Sequence, residues 1–569
     1  MITTPHDYNH AQSVSGEIPR FVQFTSPVSA RGDADGQSPV ALPLNLIALI
    51  TQWLDEPADL ARLCRTCRLL YYMTLPQLYQ KVALHSYSEI RYVNGRPEGF
   101  GGGSPFISAL NGLMTQGQAS SLVEEFRVWG AWREVGQEDF AKGRVPDNSM
   151  MLNILLRAAT DKMVKLKSFS WELDCKPLKT LYQGLAMHLT LTKLTIAFPS
   201  SRVPRPSVMI PPIPNLRALK VMDIDPVCYP DDLSMLMLHS KKLEDLRLHF
   251  SPRMRREAEP TLSLQSYFGR CVKAGWQMRV KHFAMQNFFG TNMQGLEFMF
   301  DTEYCRSFTF FDTFGGITST NARNVFIDAT WKDLPQDMRV SLRSCRTNEA
   351  ASQHVEILRR NEIGLETMYF VNYKHEGQIP SPTSPITPGE SPPADEELTR
   401  LGKEYLYVLT RNHGRSLRHL LLREEWALSS DEIGDLVRYC PNLEQVGVAL
   451  ESSNHAILRL LAPFLPKLKA VRLLHNDALT EHMRTVSHEE RMANMGRDMA
   501  RDCGDNMQFI GLGDAVYKVG KLYQHLIEDD TWEWRREVSW GSLADVQHVQ
   551  IWGLDNLDLS ADPMASFSP

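Results

Sequence analysis

The feature of this chain that most limits its fold is a short apolar pattern that recurs at a nearly constant interval. The pattern is an apolar residue, two residues, a second apolar residue, one residue and a third apolar residue. Its copies are Val123-Phe126-Val128, Leu166-Phe169-Trp171, Leu191-Leu194-Ile196, Leu216-Leu219-Val221, Leu243-Leu246-Leu248, Val280-Phe283-Met285, Cys305-Phe308-Phe310, Leu365-Met368-Phe370, Leu417-Leu420-Leu422, Leu443-Val446-Val448, Leu468-Val471-Leu473 and Val546-Val549-Ile551. Because alternate residues of a strand face opposite sides, the last two apolar residues of each copy would point inward and the residue between them outward.

The interval between copies is the stronger signal. Six intervals, those that start at residues 166, 191, 216, 280, 417 and 443, measure 25 to 27 residues. A fixed period in the twenties with this pattern is the signature of leucine-rich repeats, in which each unit buries its open face by stacking on its neighbour. We therefore predict an α+β or α/β solenoid. Residues 87–559 would form an irregular leucine-rich-repeat-like array of short parallel strands and helices.

The array is expected to be interrupted. Intervals of 37, 43, 52 and 60 residues indicate degenerate units or insertions, and the interval of 78 residues before Val546 equals three periods of 26. The charged segment 480–501 predicts a helical insertion, and segment 377–395 predicts a disordered one because it is rich in Pro, Ser and Thr. Proline-directed kinases could use its Ser-Pro and Thr-Pro pairs, at Ser381, Ser384, Thr387 and Ser391. A tolerated insertion without a regulatory role is the alternative.

Residues 39–86 lie between a leader that is predicted to be disordered (1–38) and the array, and they predict three short helices. The first helix region carries apolar residues at helical spacing, namely Leu42, Leu46, Ile47, Ile50 and Leu54. A second helix would carry one apolar stripe from Leu60 to Tyr71, and a third would begin near Pro76. Helices this short bury little core, so some of these side chains should stay exposed and mark a partner surface. Packing on the following repeats is the alternative.

The same stretch resembles an F-box. The F-box family begins with Leu-Pro, passes through Asp-Leu and a Cys-Arg step, and closes on Pro-x-Leu with Trp or Tyr. These motifs stand here as Leu42-Pro43, Asp59-Leu60, Cys67-Arg68 and Pro76-Gln77-Leu78-Tyr79. Asn45 and Thr66 replace the Glu and Val that the family usually carries, and neither change interrupts the apolar stripe. An F-box followed by repeats with a segment such as Tyr439-Cys440-Pro441-Asn442-Leu443-Glu444 is similar to a large group of fungal and other eukaryotic adaptors.

The resemblance implies a substrate-recognition adaptor of a Skp–cullin–F-box ubiquitin ligase, without catalytic activity of its own. The F-box would bind the Skp-type linker subunit of the cullin ligase core, and the repeats would bind an unknown protein substrate. By general solenoid geometry, the substrate would contact the concave strand face, formed by the outward residues of the strands, or the loops at one edge. The implied linker-binding residues are Leu42, Pro43, Leu46, Ile47, Ile50, Leu54, Leu60, Leu63, Cys67, Leu78 and Tyr79. A repeat scaffold that binds partners without directing ubiquitylation is the alternative.

Composition argues against several other classes. The formal charge of the 569 residues is −6 and no concentrated basic patch stands out, so nucleic acid is not an expected partner. Residues 1–10 lack the features of a secretory signal, and no apolar run is long enough to span a bilayer. Nine cysteines scattered along the chain predict reduced thiols. We therefore expect a location in the cytoplasm and/or nucleus and no membrane partner. Residues 560–569 are predicted to form a tail.

The motifs that would indicate catalysis, a metal or a cofactor are incomplete. Cys64 and Cys67 have metal-binding or redox spacing but lie on the apolar stripe, and no second Cys/His pair follows at suitable spacing. His488-Glu489 starts like a zinc-protease helix, but Met492 occupies the position of the second histidine. We therefore predict no catalytic residue, no metal site and no cofactor. Trp532, Trp534 and Trp540 predict either a recognition patch or the packed aromatic residues of a terminal capping unit.

Overall fold

The computed structural model describes residues 42–87, 91–93, 95–98, 105–115, 117–199, 205–225, 232–253, 262–263, 265–288, 290–292, 299–313, 338–372, 394–451, 462–499, 506–526, 531–561 and 563. The leader 1–38 and the four candidate phosphorylation sites lie outside these residues, as does segment 377–395 apart from its last two residues. Of the predicted tail, only residues 560, 561 and 563 are described. The chain divides into two units, residues 1–242 and residues 243–569.

The described part of the first unit contains nine helices and seven strands. The helices are α1 (Leu44–Gln52), α2 (Pro57–Cys64), α3 (Arg68–Gln80), α4 (Pro105–Thr115), α5 (Gly117–Ser120), α6 (Glu138–Ala141), α7 (Asp147–Lys162), α8 (Lys179–Met187) and α9 (Ser234–His239). The strands are β1 (Lys81–Ser86), β2 (Arg91–Val93), β3 (Arg96–Glu98), β4 (Glu125–Gly130), β5 (Ser168–Leu173), β6 (Lys193–Ala197) and β7 (Ala218–Ile224).

Five strands of the first unit form a parallel sheet in the order β1-β4-β5-β6-β7, while β2 and β3 form a separate antiparallel pair. The strands pair in register, so that one buried apolar residue from each strand aligns across the sheet. These residues are Val82, Phe126, Phe169, Leu194 and Leu219. Helix α7 contacts both α4 and α8, so successive connections between the strands also pack on one another.

The second and third N-terminal helices have different limits from those that the apolar stripe predicts. The second helix ends at Cys64, and the third runs from Arg68 through Pro76 rather than beginning near it. The cause lies between them, where Cys67 has an extended backbone and its Sγ accepts a hydrogen bond from the Leu70 amide at 3.5 Å. Cys67 therefore caps a new helix in the middle of the stripe.

The N-terminal helices continue directly into the first sheet. α3 ends at Gln80, and β1 begins at Lys81 and pairs with β4 along its whole length. The Gln80 side chain also donates a hydrogen bond to the Glu124 carboxylate at 3.1 Å. The strand array therefore begins at residue 81, six residues earlier than the predicted boundary at residue 87.

The described part of the second unit contains eight α-helices, one 3₁₀ helix (Ala462–Phe464) and fourteen strands. The α-helices are α10 (Gln265–Lys273), α11 (Ser352–Arg359), α12 (Ala394–His413), α13 (Ser430–Tyr439), α14 (Asp477–Thr485), α15 (His488–Asp498), α16 (Leu543–Val546) and α17 (Gln550–Gly553). The strands are β8 (Asp245–Phe250), β9 (Leu262–Ser263), β10 (His282–Gln286), β11 (Gly290–Asn292), β12 (Ser307–Phe311), β13 (Ser344–Thr347), β14 (Thr367–Phe370), β15 (His419–Leu421), β16 (Ala427–Leu428), β17 (Gln445–Leu450), β18 (Ala470–Leu473), β19 (Phe509–Leu512), β20 (Ala515–Leu526) and β21 (Trp532–Gly541).

Nine strands of the second unit follow one another in a parallel succession, β8-β10-β12-β13-β14-β15-β17-β18-β19. β20 and β21 then extend the sheet antiparallel, β16 pairs with β17, and β9 and β11 form a separate pair. The predicted mixed α/β class with short, mostly parallel strands is confirmed, and the arrangement within each unit is compatible with a solenoid-like stack.

Eleven of the twelve predicted copies of the apolar pattern lie at strands of the parallel sheets. The strand predicted at Val546-Val549-Ile551 is wrong, because these residues lie in and between α16 and α17. The antiparallel strands β20 and β21 end the parallel succession. The three apolar residues pack instead on one face of the sheet, where they are buried with Tyr369 and Leu421.

Two of the nine successive parallel strands of the second unit escape the pattern. β13 carries Leu342-Cys345-Thr347, in which the third position is polar. β19 carries Met507-Ile510-Leu512, which begins 39 residues after Leu468 and so falls outside the period of 25 to 27. The longer interval arises because the charged segment 480–501 contains most of α14 and all of α15.

Candidate functional site

Helix α1 exposes most of its apolar side chains. Ile47 and Thr51 are its buried residues, and Trp53, just beyond its end, is 86% exposed. Residues 46, 49, 50 and 53 follow the spacing i, i+3, i+4, i+7, which places their side chains on one stripe of the helix. We define the N-terminal apolar face as the exposed residues Leu42, Leu44, Leu46, Leu49, Ile50 and Trp53.

Helices α2 and α3 form a folded base on which α1 and the N-terminal apolar face lie. A small buried cluster holds α2 against α3, and it consists of Leu60, Cys64 and Leu78. The Cys64 thiol and the Thr74 hydroxyl lie 2.7 Å apart and hydrogen bond within the cluster. The Gln77 amide donates a hydrogen bond to the Leu54 carbonyl at 3.1 Å, which ties α3 to the chain after α1. The apolar face therefore lies on a folded base.

Helix α3 presents a second, smaller exposed patch. Tyr71 and Tyr72 are each 40% exposed, and their rings meet edge to face with centroids 5.3 Å apart. The Arg68 guanidinium lies 5.8 Å from the centre of the Tyr72 ring, within the range of a cation–π contact. Aromatic and arginine side chains in such an arrangement are favoured at protein interfaces.

The structure separates the predicted linker-binding residues into three groups. Leu42, Pro43, Leu46 and Ile50 are exposed; Leu54, Leu63, Cys67 and Tyr79 are partly buried; Ile47, Leu60 and Leu78 are buried. The buried residues stabilise the helices rather than presenting a surface to a partner. Sequence reasoning missed Leu44, Leu49, Trp53, Tyr71 and Tyr72. Leu49 and Trp53 could have been predicted from the sequence, because they continue the stripe that begins at Leu46.

The outward strand face of the second unit, one of the two expected substrate surfaces, is covered by the chain itself. Residues 546–561 lie against it, and Val546, Val549, Ile551 and Trp552 are buried in a cluster with strand residues of this face. A substrate therefore does not find an open strand face along this part of the unit.

The strand face of the first unit is polar and aromatic. The Arg127 guanidinium donates to the Glu172 carboxylate, with Nε and Oε1 3.0 Å apart, and lies 5.2 Å from the centre of the Trp129 ring. The rings of His85 and Trp129 are stacked with centroids 3.7 Å apart. The Arg127 side chain is half exposed. This arrangement suits contacts with polar and aromatic groups of a partner.

The three C-terminal tryptophans are all exposed, by 63% at Trp532, 46% at Trp534 and 56% at Trp540. The Trp540 ring also meets the rings of His488 and Tyr517 edge-on, whereas Trp532 and Trp534 lie near the end of the hairpin formed by β20 and β21. The recognition patch and the packed capping unit both stay predictions. Three neighbours on β20 are also exposed, namely Leu522, Tyr523 and Leu526.

The segment around Cys440 shows what its repeat-like residues do. Cys440 is buried, and the Asn442 side chain donates to the Arg415 carbonyl of the preceding repeat at 2.7 Å. Glu444 accepts hydrogen bonds from Arg418 on one side and Lys469 on the other. Burial raises the pKa of Glu444, but these two bonds outweigh it and lower the pKa below its usual value. Asn442 and Glu444 thus link this segment to the chain just before β15 and just before β18.

Five of the seven described cysteines do not resemble nucleophiles. All seven are free thiols, and burial raises the pKa of five of them: Cys64, Cys175, Cys305, Cys345 and Cys440, the last three to about 12. A high pKa keeps the thiol protonated and unreactive at neutral pH. In the part of the chain that the structure covers, no three His, Cys, Asp or Glu side chains are grouped to hold a metal ion.

Among the described residues, no helix has both the length and the apolar character needed to cross a bilayer. No protein-family model matches the chain, and no curated protein is significantly similar to it.

Proposed function

We propose that this chain is a substrate-recognition adaptor of a Skp–cullin–F-box ubiquitin ligase. The N-terminal apolar face binds the Skp-type linker subunit, and the repeat units hold a protein substrate. The observation that carries the proposal is the coincidence of F-box-like motifs with the exposed stripe on α1.

The exposure of this stripe favours a protein partner. Leu46 and Ile50 are 42% and 55% exposed in a helix whose other side is already packed. Full burial of such a side chain is worth about 1.5–3 kcal/mol, so docking of the stripe would supply a sizeable binding free energy. Contiguous exposed apolar surface of this kind is typical of interaction sites.

An adaptor of this type acts by proximity. It holds a lysine of the substrate near the ubiquitin-conjugating enzyme, which raises the effective concentration of the two reacting groups. The chain then needs two binding surfaces and no reactive side chain. The protonated, buried thiols and the outward-facing apolar stripe are consistent with this division of roles.

The test replaces Leu46 and Ile50 together by Glu and measures binding of a purified Skp-type linker subunit by a pull-down and by interferometry. Two unpaired charges in an apolar interface should reduce the affinity by about 100-fold or more. The matched control is Met151→Glu with Ile154→Glu on α7, since these side chains are 60% and 57% exposed and lie on another helix of the same unit.

All four substituted positions are exposed, so both variants should keep the far-UV circular dichroism and the Tm of the parent. Linker binding that survives Leu46→Glu with Ile50→Glu would sink the proposal. A deletion that tests linker binding should end at Gln80, because removal of residues 81–86 would also remove β1 from the sheet.

A further inference from the structure

The outward face of the parallel sheet in the second unit carries arginines at intervals. The middle positions of its nine successive parallel strands align in one row, which consists of Arg247, Ala284, Thr309, Arg346, Tyr369, Leu421, Gly447, Arg472 and Gly511. We call these nine residues the arginine row. Its small residues leave room for another chain segment to lie close to the sheet.

Residues 546–554 form the anchored part of the segment that lies on the arginine row. Val546, Ile551 and Trp552 are buried there. A Cβ atom at Gly511 would lie 2.6 Å from the indole of Trp552, so the ring occupies space that only a glycine leaves free. This part belongs to the core of the second unit.

Residues 555–561 continue the segment and are held mainly by hydrogen bonds from arginine side chains. Arg346 donates hydrogen bonds to three main-chain carbonyl groups, those of Leu554 at 3.0 Å, Asn556 at 2.5 Å and Asp558 at 2.8 Å. One guanidinium group thus forms hydrogen bonds with the main-chain carbonyl groups of alternate residues. Carbonyl groups are common to every peptide, so these three bonds do not depend on the side chains of the segment, whereas a fourth bond, at 2.9 Å, goes to the side-chain oxygen of Asn556.

Two further arginines hold the ends of this stretch. Arg247 donates to the Leu559 carbonyl at 2.6 Å. Arg472 donates to the Asp555 carboxylate at 2.6 Å. The same carboxylate accepts a hydrogen bond from the main-chain amide of Asn372, also at 2.6 Å. The arginine row therefore contacts the main-chain carbonyl groups of a segment with bends and turns, together with one acidic side chain.

The bonds of residues 555–561 do not form a β-ladder. The amide groups of Asp558 and Ser560 donate to side chains within the segment, and that of Ala561 donates to the Asp558 carbonyl. Its main apolar contact is Leu559, which lies in a small cluster with Ala284, Phe311 and Val371. Release of the stretch would break arginine hydrogen bonds and expose Leu559, while the strands keep their pairing.

Release would leave Arg346 in need of acceptors. This side chain is fully buried and lies 4.8 Å from the centre of the Phe311 ring. Burial lowers its pKa to about 10, which still leaves the group charged at neutral pH. Release would uncover this charged group, and a ligand that supplies carbonyl and carboxylate oxygens could then take the place of the segment.

We propose that the arginine row is a binding site for an acidic peptide segment of a partner protein that follows the same turns as residues 555–561, and that these residues are its resident, releasable occupant. The partner segment carries an acidic residue at the place of Asp555 and a large apolar residue four positions later, at the place of Leu559. The inference goes beyond the proposed function and does not depend on the partner of the N-terminal apolar face.

The test compares the full chain with a chain that lacks residues 555–569, using a fluorescent peptide of residues 553–563 as the probe. The truncated chain should bind the peptide, and the full chain should bind it at least about tenfold more weakly because its own segment competes at high effective concentration. Changing Asp555 to Asn or Leu559 to Asn in the peptide should weaken binding to the truncated chain, and a scrambled peptide should not bind. A truncated chain that folds cooperatively and ignores the peptide would overturn the proposal.

Hydrogen exchange of the full chain decides the matter if the truncated chain does not fold. The amides of residues 555–561 should exchange at least about 100-fold faster than those of β13 and β14, because local release costs less free energy than global unfolding. Exchange of the segment at the same rate as these strands would show a permanent part of the core and overturn the proposal.

Discussion

His419 illustrates how a single buried side chain makes stability depend on pH. Its Nδ1 lies 2.8 Å from the Tyr369 hydroxyl on the neighbouring strand, and the residue is 3% exposed. Burial lowers its pKa from 6.5 to about 4, with opposing effects of Glu444, which raises it, and of Arg418 and Lys469, which lower it. Burial also lowers the pKa of His413, whose Nε2 donates a hydrogen bond to the Leu358 carbonyl at 2.8 Å.

We predict that the second unit loses stability as the pH falls from about 6.5 towards 4. In this window the unfolded chain binds a proton at His419 and the folded chain does not, so acid favours unfolding. At pH 5 the loss from this residue should be about 2 kcal/mol relative to pH 7. Urea unfolding at the two pH values measures it. His419→Gln should remove this part of the difference; an unchanged pH dependence in the variant would contradict the assignment.

Residue-level exposure was only partly predictable. α1 is apolar on nearly every side, so its sequence does not say whether Leu46 or Ile47 faces the base. Contacts with α2 and α3 decide it, and they bury Ile47. The helical spacing places Trp53 on the stripe of Leu46 and Ile50, so its exposure follows from theirs. The exposure of Tyr71 does not follow in this way, because the stripe that runs from Leu60 is broken at Cys67.

At the scale of elements, the periodic apolar pattern predicted the parallel strands well, but it predicted the segment that follows the last of them poorly. A strand in a parallel succession repeats the burial of the strand before it, so the pattern identifies β5 to β8 and β17 to β18 from local residues. The segment 543–553 contains the same pattern but forms α16 and α17, because the antiparallel hairpin of β20 and β21 already continues the sheet from β19. Tertiary context overrides a local pattern in such cases.

The break between α14 and α15 depends on one arginine. Arg491 is buried and donates to the carbonyls of Met483 at 2.9 Å and Val486 at 2.6 Å, which caps the end of α14. It also donates to the Tyr517 hydroxyl at 3.2 Å. Ser487 caps the start of α15 by accepting a hydrogen bond from the Glu490 amide. A single charged stretch therefore becomes two helices.

We predict that Arg491→Leu destabilises the chain by about 2–3 kcal/mol, because it leaves two partly buried carbonyl groups without donors and removes the bond to Tyr517. Urea unfolding followed by circular dichroism measures the change. Arg497→Leu on the same helix is the control, since Arg497 is about half exposed and its pair with Glu533 is long, at 3.8 Å. It should cost less than about 1 kcal/mol. Equal effects of the two substitutions would contradict the role given to Arg491.

For the molecule as a whole, the proposed function requires that recruitment and recognition use different residues. The N-terminal apolar face belongs to the first unit. The arginine row and the exposed tryptophans of the β20–β21 hairpin belong to the second. A substitution at one surface should therefore leave binding at the others intact, because exposed or distant sites act independently. This separation is the property that distinguishes an adaptor from a chain that only gathers partners on its repeats.

We predict that affinity purification of the full chain recovers Skp-type and cullin subunits, and that Leu46→Glu with Ile50→Glu removes them while other bound proteins remain. Met151→Glu with Ile154→Glu should behave like the parent. The proteins that both preparations share are substrate candidates, and their half-lives should lengthen in cells that carry only the α1 variant. If the parent recovers no ligase subunit, or if the shared proteins keep their half-lives, the chain acts as a repeat scaffold rather than in ubiquitylation.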